Sequence, residues 1–158
     1  MNDALYDTDI VVWSENQAAL LRRVARGERI NGVDWEHVAE EIGDVGNAEL
    51  RAVESLWRQT MLYAIKLTVM PNDTAARHRR HEITAFLAQA ENRFVPSMRQ
   101  RIDLEKLWRR CVTLSAQDFN GIEGFDALPV GCPWTVDQLL NGDRGALLDA
   151  LGGVSRAG

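Results

Sequence analysis

Little in this sequence suits a membrane or an oxidising compartment. The longest apolar run, MLYAIKLTVM from Met61 to Met70, has ten residues and includes Lys66. A spanning helix needs about 20 residues, so membrane insertion is excluded. The opening MNDALYDTD carries acids and no basic n-region, so it does not read as a signal peptide. The two cysteines, Cys111 and Cys132, form neither a CxxC pair nor a disulfide framework, which points to a reduced, cytoplasmic setting. No stretch alternates with period two, and no Asn-Gly hairpin is flanked by strand patterns, which argues against a β architecture. P-loop, GxGxxG, HExxH and GxSxG motifs are all missing, so nothing supports nucleotide-dependent chemistry, common hydrolase chemistry or a bound cofactor.

What remains is an ordinary globular composition. The chain has 158 residues, 46% of them hydrophobic and 26% charged. That length is enough to bury a core and fits one domain. Charge is segregated along the chain. Residues 1–50 carry four arginines and eleven acids; residues 73–110 carry nine Lys or Arg against five acids; from Cys111 onward two arginines face six acids. Acidic, basic and acidic blocks in that order suit a chain folding back on itself, or a complementary partner.

The apolar spacing is helical throughout. Thr8 or Asp7 is positioned to cap a first helix carrying Ile10, Val11, Trp13, Leu20, Leu21 and Val24, with Gly27 as its stop. Asp34 is a good N-cap for a second, starting at Trp35; Gly43 and Gly46 weaken it, and Asn47 is placed to cap the next. A third helix over about residues 48–70 is striped at first, then apolar almost all round, and ends before Pro71. Asp73 caps a fourth helix with the stripe Ala76, Ile83, Phe86, Leu87, Ala90 and Phe94. Ser97 and Gln100 form a capping box for a fifth, which carries Leu104, Leu107, Trp108, Cys111 and Leu114. A loop follows from Gly121 to Trp134, and Thr135 with Gln138 caps a short C-terminal helix. The expectation is an all-α fold: one domain with a bundle of about five main helices over roughly 7–141 and a frayed tail over 142–158.

Two histidine clusters have metal-ligand spacing. DWEHVAEEIGDVG (Asp34 to Gly46) sets His37 three residues before Glu40 and four before Glu41. At about 100° per residue, Trp35, Val38, Ala39, Ile42 and Val45 share one face, with Glu36, His37, Glu40, Glu41 and Asp44 opposite. Metal sites inside helical bundles need inward ligands, so the box reads as a solvated acidic face. RHRRHE (Arg77 to Glu82) gives the same result for His78 and His81. Arg79 falls inside the apolar sector and should snorkel, or pair with an acid of the N-terminal block. Lys66, alone in its apolar run, should pack its stem and send its ammonium to water or a carboxylate; the alternative is a depressed pKa and a catalytic amine. Cys132, in GCPW, has no histidine nearby in sequence, so Cys132, Pro133 and Trp134 read as a hydrophobic latch.

The ordered set YDTDIVVW (Tyr6 to Trp13), LLRR (Leu20 to Arg23), DWEHVAEEI (Asp34 to Ile42), LYAIK (Leu62 to Lys66), VPSMR (Val95 to Arg99) and LPVGCPWTVDQLL (Leu128 to Leu140) resembles the bacterial "domain of unknown function 29" family. The resemblance covers Tyr6 to Leu140 and implies an all-helical fold with no assigned activity. Glu40-Glu41 matches a Glu-Glu pair of the family pattern, which makes these two the first partners to test for Lys66. His37 stands in place of the family's Asn, and Tyr63 where the family often has His.

Three functions stay open. The first is a small cytoplasmic interaction or accessory module without catalysis, its partner another protein or a second copy of the chain. The second is a metal-dependent or other hydrolytic enzyme, if Glu40, Glu41, Lys66 and His78 converge in an inter-helix groove. The third, disfavoured by a pI near 5.2 and by the lack of helix-turn-helix or RNP patterns, is nucleic-acid binding through the basic block. The residues singled out are Glu40, Glu41, Lys66, His78 and Arg79; none has a catalytic, cofactor or metal role assigned.

Overall fold

A computed structural model describes the backbone of residues 2–151 and the side chains of residues 4–151. It is all-α: eight α-helices, four of them long, with no strand among the described residues. In chain order they are α1 (Asn2–Thr8), α2 (Ile10–Ala25), α3 (Trp35–Val69), α4 (Ala76–Arg93), α5 (Leu104–Phe119), α6 (Glu123–Asp126), α7 (Val136–Asn141) and α8 (Arg144–Asp149). The chain divides into two compact units, residues 1–48 and 49–158.

The expected second and third helices are one. Helix α3 runs for 35 residues through Gly43, Gly46 and Asn47 without a break. A glycine in a helix interior costs about 0.5–1 kcal/mol relative to alanine, too little to interrupt a helix favoured on both sides. Several caps also differ from the reading above. Asp9, not Asp7 or Thr8, caps α2, its carboxylate accepting from the Val12 amide at 3.1 Å. Residues 2–8 form the separate helix α1. Asp73 does not cap α4, which starts at Ala76. Pro96–Met98 is a single 3-10 turn rather than a capping box, and Asp103 caps α5 through the Lys106 amide at 2.9 Å. The box at Thr135 and Gln138 is present in both directions, at 2.8 and 3.2 Å. Gly142, in the left-handed region at φ +64°, ends α7.

The first unit has a small interior, in which Trp13, Gln17 and Val38 are buried. Here the structure overturns the wheel argument. Trp35, Ile42 and Val45, read as the core stripe, are 60%, 69% and 68% exposed. The face that is covered is the one bearing His37 and Glu41, because Tyr6 on α1 and Trp13 on α2 pack there. Aromatic rings with polar edges can bury a mixed face once its polar groups are hydrogen-bonded.

The second unit holds the main core. Val53, Trp57, Met61 and Ala64 recur at helical spacing on α3 and meet Ile83, Leu87 and Ala90 of α4 and Trp108, Cys111 and Phe119 of α5. Trp57 and Trp108 are fully buried. Trp134 closes this interior. Its ring packs edge-on against Trp108 with centroids 5.6 Å apart, and its indole N–H donates to the Leu147 carbonyl at 2.9 Å. The expected latch is therefore carried by Trp134. The expected loop contains α6, and within the expected tail Arg144–Asp149 forms α8, with Leu147 and Leu151 buried in the same core; residues 152–158 lie outside the described residues.

An alanine side chain at Gly43 or Gly46 would meet no atom within 4 Å, so only helix propensity changes there. Gly43→Ala and Gly46→Ala are each expected to raise stability by about 0.5–1 kcal/mol in chemical denaturation. A loss of stability at either position would mean that α3 is not helical through it.

Candidate functional site

The second unit contains a groove of about 1000 Å³ lined by Arg51, Glu54 and Arg58 of α3 and Lys106, Arg109 and Arg110 of α5. Helical spacing produces it. Arg51, Ser55 and Arg58 stand at i, i+4 and i+7, off the stripe that Val53, Trp57 and Met61 bury. Lys106, Arg110 and Thr113 repeat that spacing on α5, whose opposite side sinks Trp108, Cys111 and Ser115. Behind the groove the two helices are tied where the Cys111 thiol donates to the Arg58 carbonyl at 3.7 Å. Burial lifts that thiol to about 11, so it stays protonated near neutrality. Leu107 and Leu114 supply an apolar strip; Leu114, read as a core residue, is 48% exposed.

Five cations thus face a single carboxylate. None of the five forms an ion pair with a described residue. Arg109 spends its Nε–H on the Glu105 carbonyl one turn back, at 3.3 Å. The sequence held part of this signal, because Lys106, Arg109 and Arg110 belong to the basic block. Arg51 and Arg58 lie outside it, and only the pairing of α3 with α5 adds them.

The residues singled out earlier fall in both units. Glu40 is exposed and Glu41 half-buried on the first half of α3, whereas Lys66, His78 and Arg79 belong to the second unit. Lys66 is half-buried, with its ammonium 5.8 Å from the Tyr63 ring centroid. His78 is exposed. Arg79 pairs not with the N-terminal block but with Asp73, at 2.6 Å. That hydrogen bond, with another from the Ala75 amide, holds the Asp73 carboxyl below its usual range. Among the described residues no three His, Cys, Asp or Glu side chains are grouped to hold a metal ion.

The first unit carries a different cluster. Tyr6 stacks on His37 with centroids 3.9 Å apart and donates to Glu41 Oε1 at 2.8 Å. His37 Nδ1 lies 2.8 Å from Asp34 Oδ2, which also accepts from the Trp13 indole at 3.2 Å. Gln17 Oε1 accepts from the Asp34 amide at 2.9 Å. Burial pushes the Asp34 carboxyl up, but the hydrogen bonds from His37 and Trp13 outweigh it and hold it below 3.8. The bond to Glu41, then burial, then the surrounding carboxylates push the Tyr6 phenol up to about 12. Every polar group named here is engaged by a neighbour, so the cluster reads as a fastening of α1 and α2 onto α3.

A family model described as "Domain of unknown function DUF29" matches residues 5–144. The chain belongs to the DUF29 family. Among solved structures, an alpha-helical protein of unknown function from Rhodospirillum rubrum is 30% identical. The match covers 92% of this chain and 96% of that one, with a TM-score of 0.69. No curated protein matches the chain. In this DUF29 member the Glu-Glu pair is split in role, Glu41 held by Tyr6 and Glu40 left at the surface.

The Tyr6 bond makes an alkaline prediction. Its folded pKa lies above the ordinary 10.0, so its stabilisation is complete below pH 10 and disappears as pH rises through about 12. Tyrosinate absorbance should show a step near pH 12 that Tyr6→Phe removes; a step surviving in the variant would refute the assignment. On the acid side the Asp34 contribution is present above pH 3.8 and lost as pH falls through its lower folded value. Asp34→Asn should therefore flatten the acid limb of a circular-dichroism titration.

Proposed function

We propose that this DUF29 chain is a small non-catalytic interaction module that docks an acidic protein surface in the groove between α3 and α5. The observation that carries this reading is the surplus of five cations over one carboxylate around an apolar strip. Unpaired like charges repel one another and draw in a surface of opposite sign. Leu107 and Leu114 favour protein over nucleic acid, since they reward apolar anchors, while the lining holds no aromatic ring on which a base would stack. The family match spans both compact units, which supports their acting as one functional domain. Two free thiols are in keeping with a reducing cytoplasm, and among the described residues no helix is long and apolar enough to cross a membrane.

The test is capture from the native cell with wild type and with Arg109→Glu/Arg110→Glu, followed by mass spectrometry and a direct binding measurement on the protein recovered. An acidic protein that binds wild type and loses at least tenfold in affinity for the variant supports the reading. Salt-sensitive retention on DNA, lost in the same variant, would assign the groove to nucleic acid instead. Stoichiometric metal in the purified protein, or turnover in a broad hydrolase screen, would replace it with an enzyme.

A further inference from the structure

Helix α3 begins with a surface that complements the groove. Glu36, Glu40 and Asp44 are exposed there, at i, i+4 and i+8, so they form one acidic stripe. Trp35 and Ile42, seven residues apart, are exposed at 60% and 69% about 150° round the helix from it, with the exposed Ala39 and Gly43 on the side between. The first unit as a whole carries four arginines against ten carboxylates. An amphipathic helix face with acids along one edge and a tryptophan and an isoleucine along the other matches a groove that offers guanidinium groups and leucines. Laying such a face into such a groove is an established mode of helix recognition.

We infer that the occupant of the α3/α5 groove is the acidic first half of α3 from a second copy of this chain. The inference rests on the docking function proposed above and names its partner. Three observations favour a second copy. Both surfaces belong to the same polypeptide, so their concentrations are matched. Neither the five groove cations nor Glu36, Glu40 and Asp44 are paired in ion bridges with described residues. The apolar side chains on both sides, Trp35 and Ile42 facing Leu114, are left to solvent in the single chain. Each copy then contributes one groove and one helix face, a heterologous contact that satisfies every copy when it closes into a ring, the smallest being a reciprocal pair.

Sedimentation of the full-length protein over a range of concentrations tests this. Self-association is expected at about 0.1 M salt. It should weaken at least tenfold toward about 1 M, where the screening length falls from about 10 Å to about 3 Å. Arg109→Glu/Arg110→Glu and, separately, Glu36→Lys/Glu40→Lys should each sediment as monomers with unchanged far-ultraviolet circular dichroism. An equimolar mixture of the two variants should associate again, because each reversed surface then meets its complement. A wild type that stays monomeric throughout, variants that associate like wild type, or a mixture that fails to associate would each overturn the inference. If wild type is monomeric while Arg109→Glu/Arg110→Glu still loses a captured acidic protein, the docking function stands and only the second copy is removed as its occupant.

Discussion

The second half of α3 is the constraint on which the larger unit depends. Met61, Ala64, Ile65 and Leu67 are all buried, and they point in several directions round the helix. A helix apolar on most sides is stable in water only when it is enclosed. Helices α4 and α5 cover two of those sides, and Trp134, Leu139, Leu147 and Leu151 close the remainder from the C-terminal segments. The short helices α6 to α8 thus have few residues to support their own hydrogen bonding, and they persist because tertiary contacts hold them. The groove follows from this enclosure. Once α3 and α5 have turned their tryptophans inward, the arginines on their other faces are set beside one another.

The fold class and the large core were legible because they depend on local periodicity. Trp57 and Trp108 fall on clear stripes, and both are fully buried. The box at Thr135 and Gln138 lies within four residues and needs no tertiary information. The first unit was misread for a physical reason. A wheel drawn on α3 alone ranks faces by hydrophobicity, and that rule buried Trp35, Ile42 and Val45. The packing of Tyr6, Trp13 and Gln17 supplied instead hydrogen-bond partners for Asp34 and Glu41 and a stacking ring for His37, whose Nδ1 is held by Asp34. A polar face that finds such partners loses little on burial, so the choice of face was settled by residues about 20 to 35 positions away. The groove was half-legible on the same grounds. Lys106, Arg109 and Arg110 stand out as a block, whereas Arg51 and Arg58 gain meaning only from the long-range pairing of α3 with α5.

The contrast between the two clusters of ionisable groups bears on function. Around His37 the polar groups are matched within the unit, the carboxylate of Asp34 by the Trp13 indole and by the amide and ring of His37. That economy is typical of groups held for stability. Around Arg58 the opposite holds, since five cations and one carboxylate share a wall and the cations make no ion pairs with described residues. Long flexible cations on a surface can simply be solvated, and two or three together would carry no meaning. Five along a concave wall with an apolar strip go further, because the wall raises their mutual field and the strip gains from being covered.

A sequence usually resolves such conflicts within the chain, and here the means were at hand: the carboxylates outnumber the cations overall by 23 to 18. Glu49 and Asp137 are spent on single arginines elsewhere, Arg93 and Arg99, and Glu105, at the start of α5, turns its carboxylate to the Cys132 amide. Placing an acid at Ser55 or Thr113 would have reduced the surplus of positive charge at no cost to the core, since both side chains line the groove and neither belongs to the buried cluster. Local rules are most often broken where binding requires it. The uncompensated wall of α3 and α5, in a protein of net charge −5, is the feature on which the proposed acidic counterpart rests.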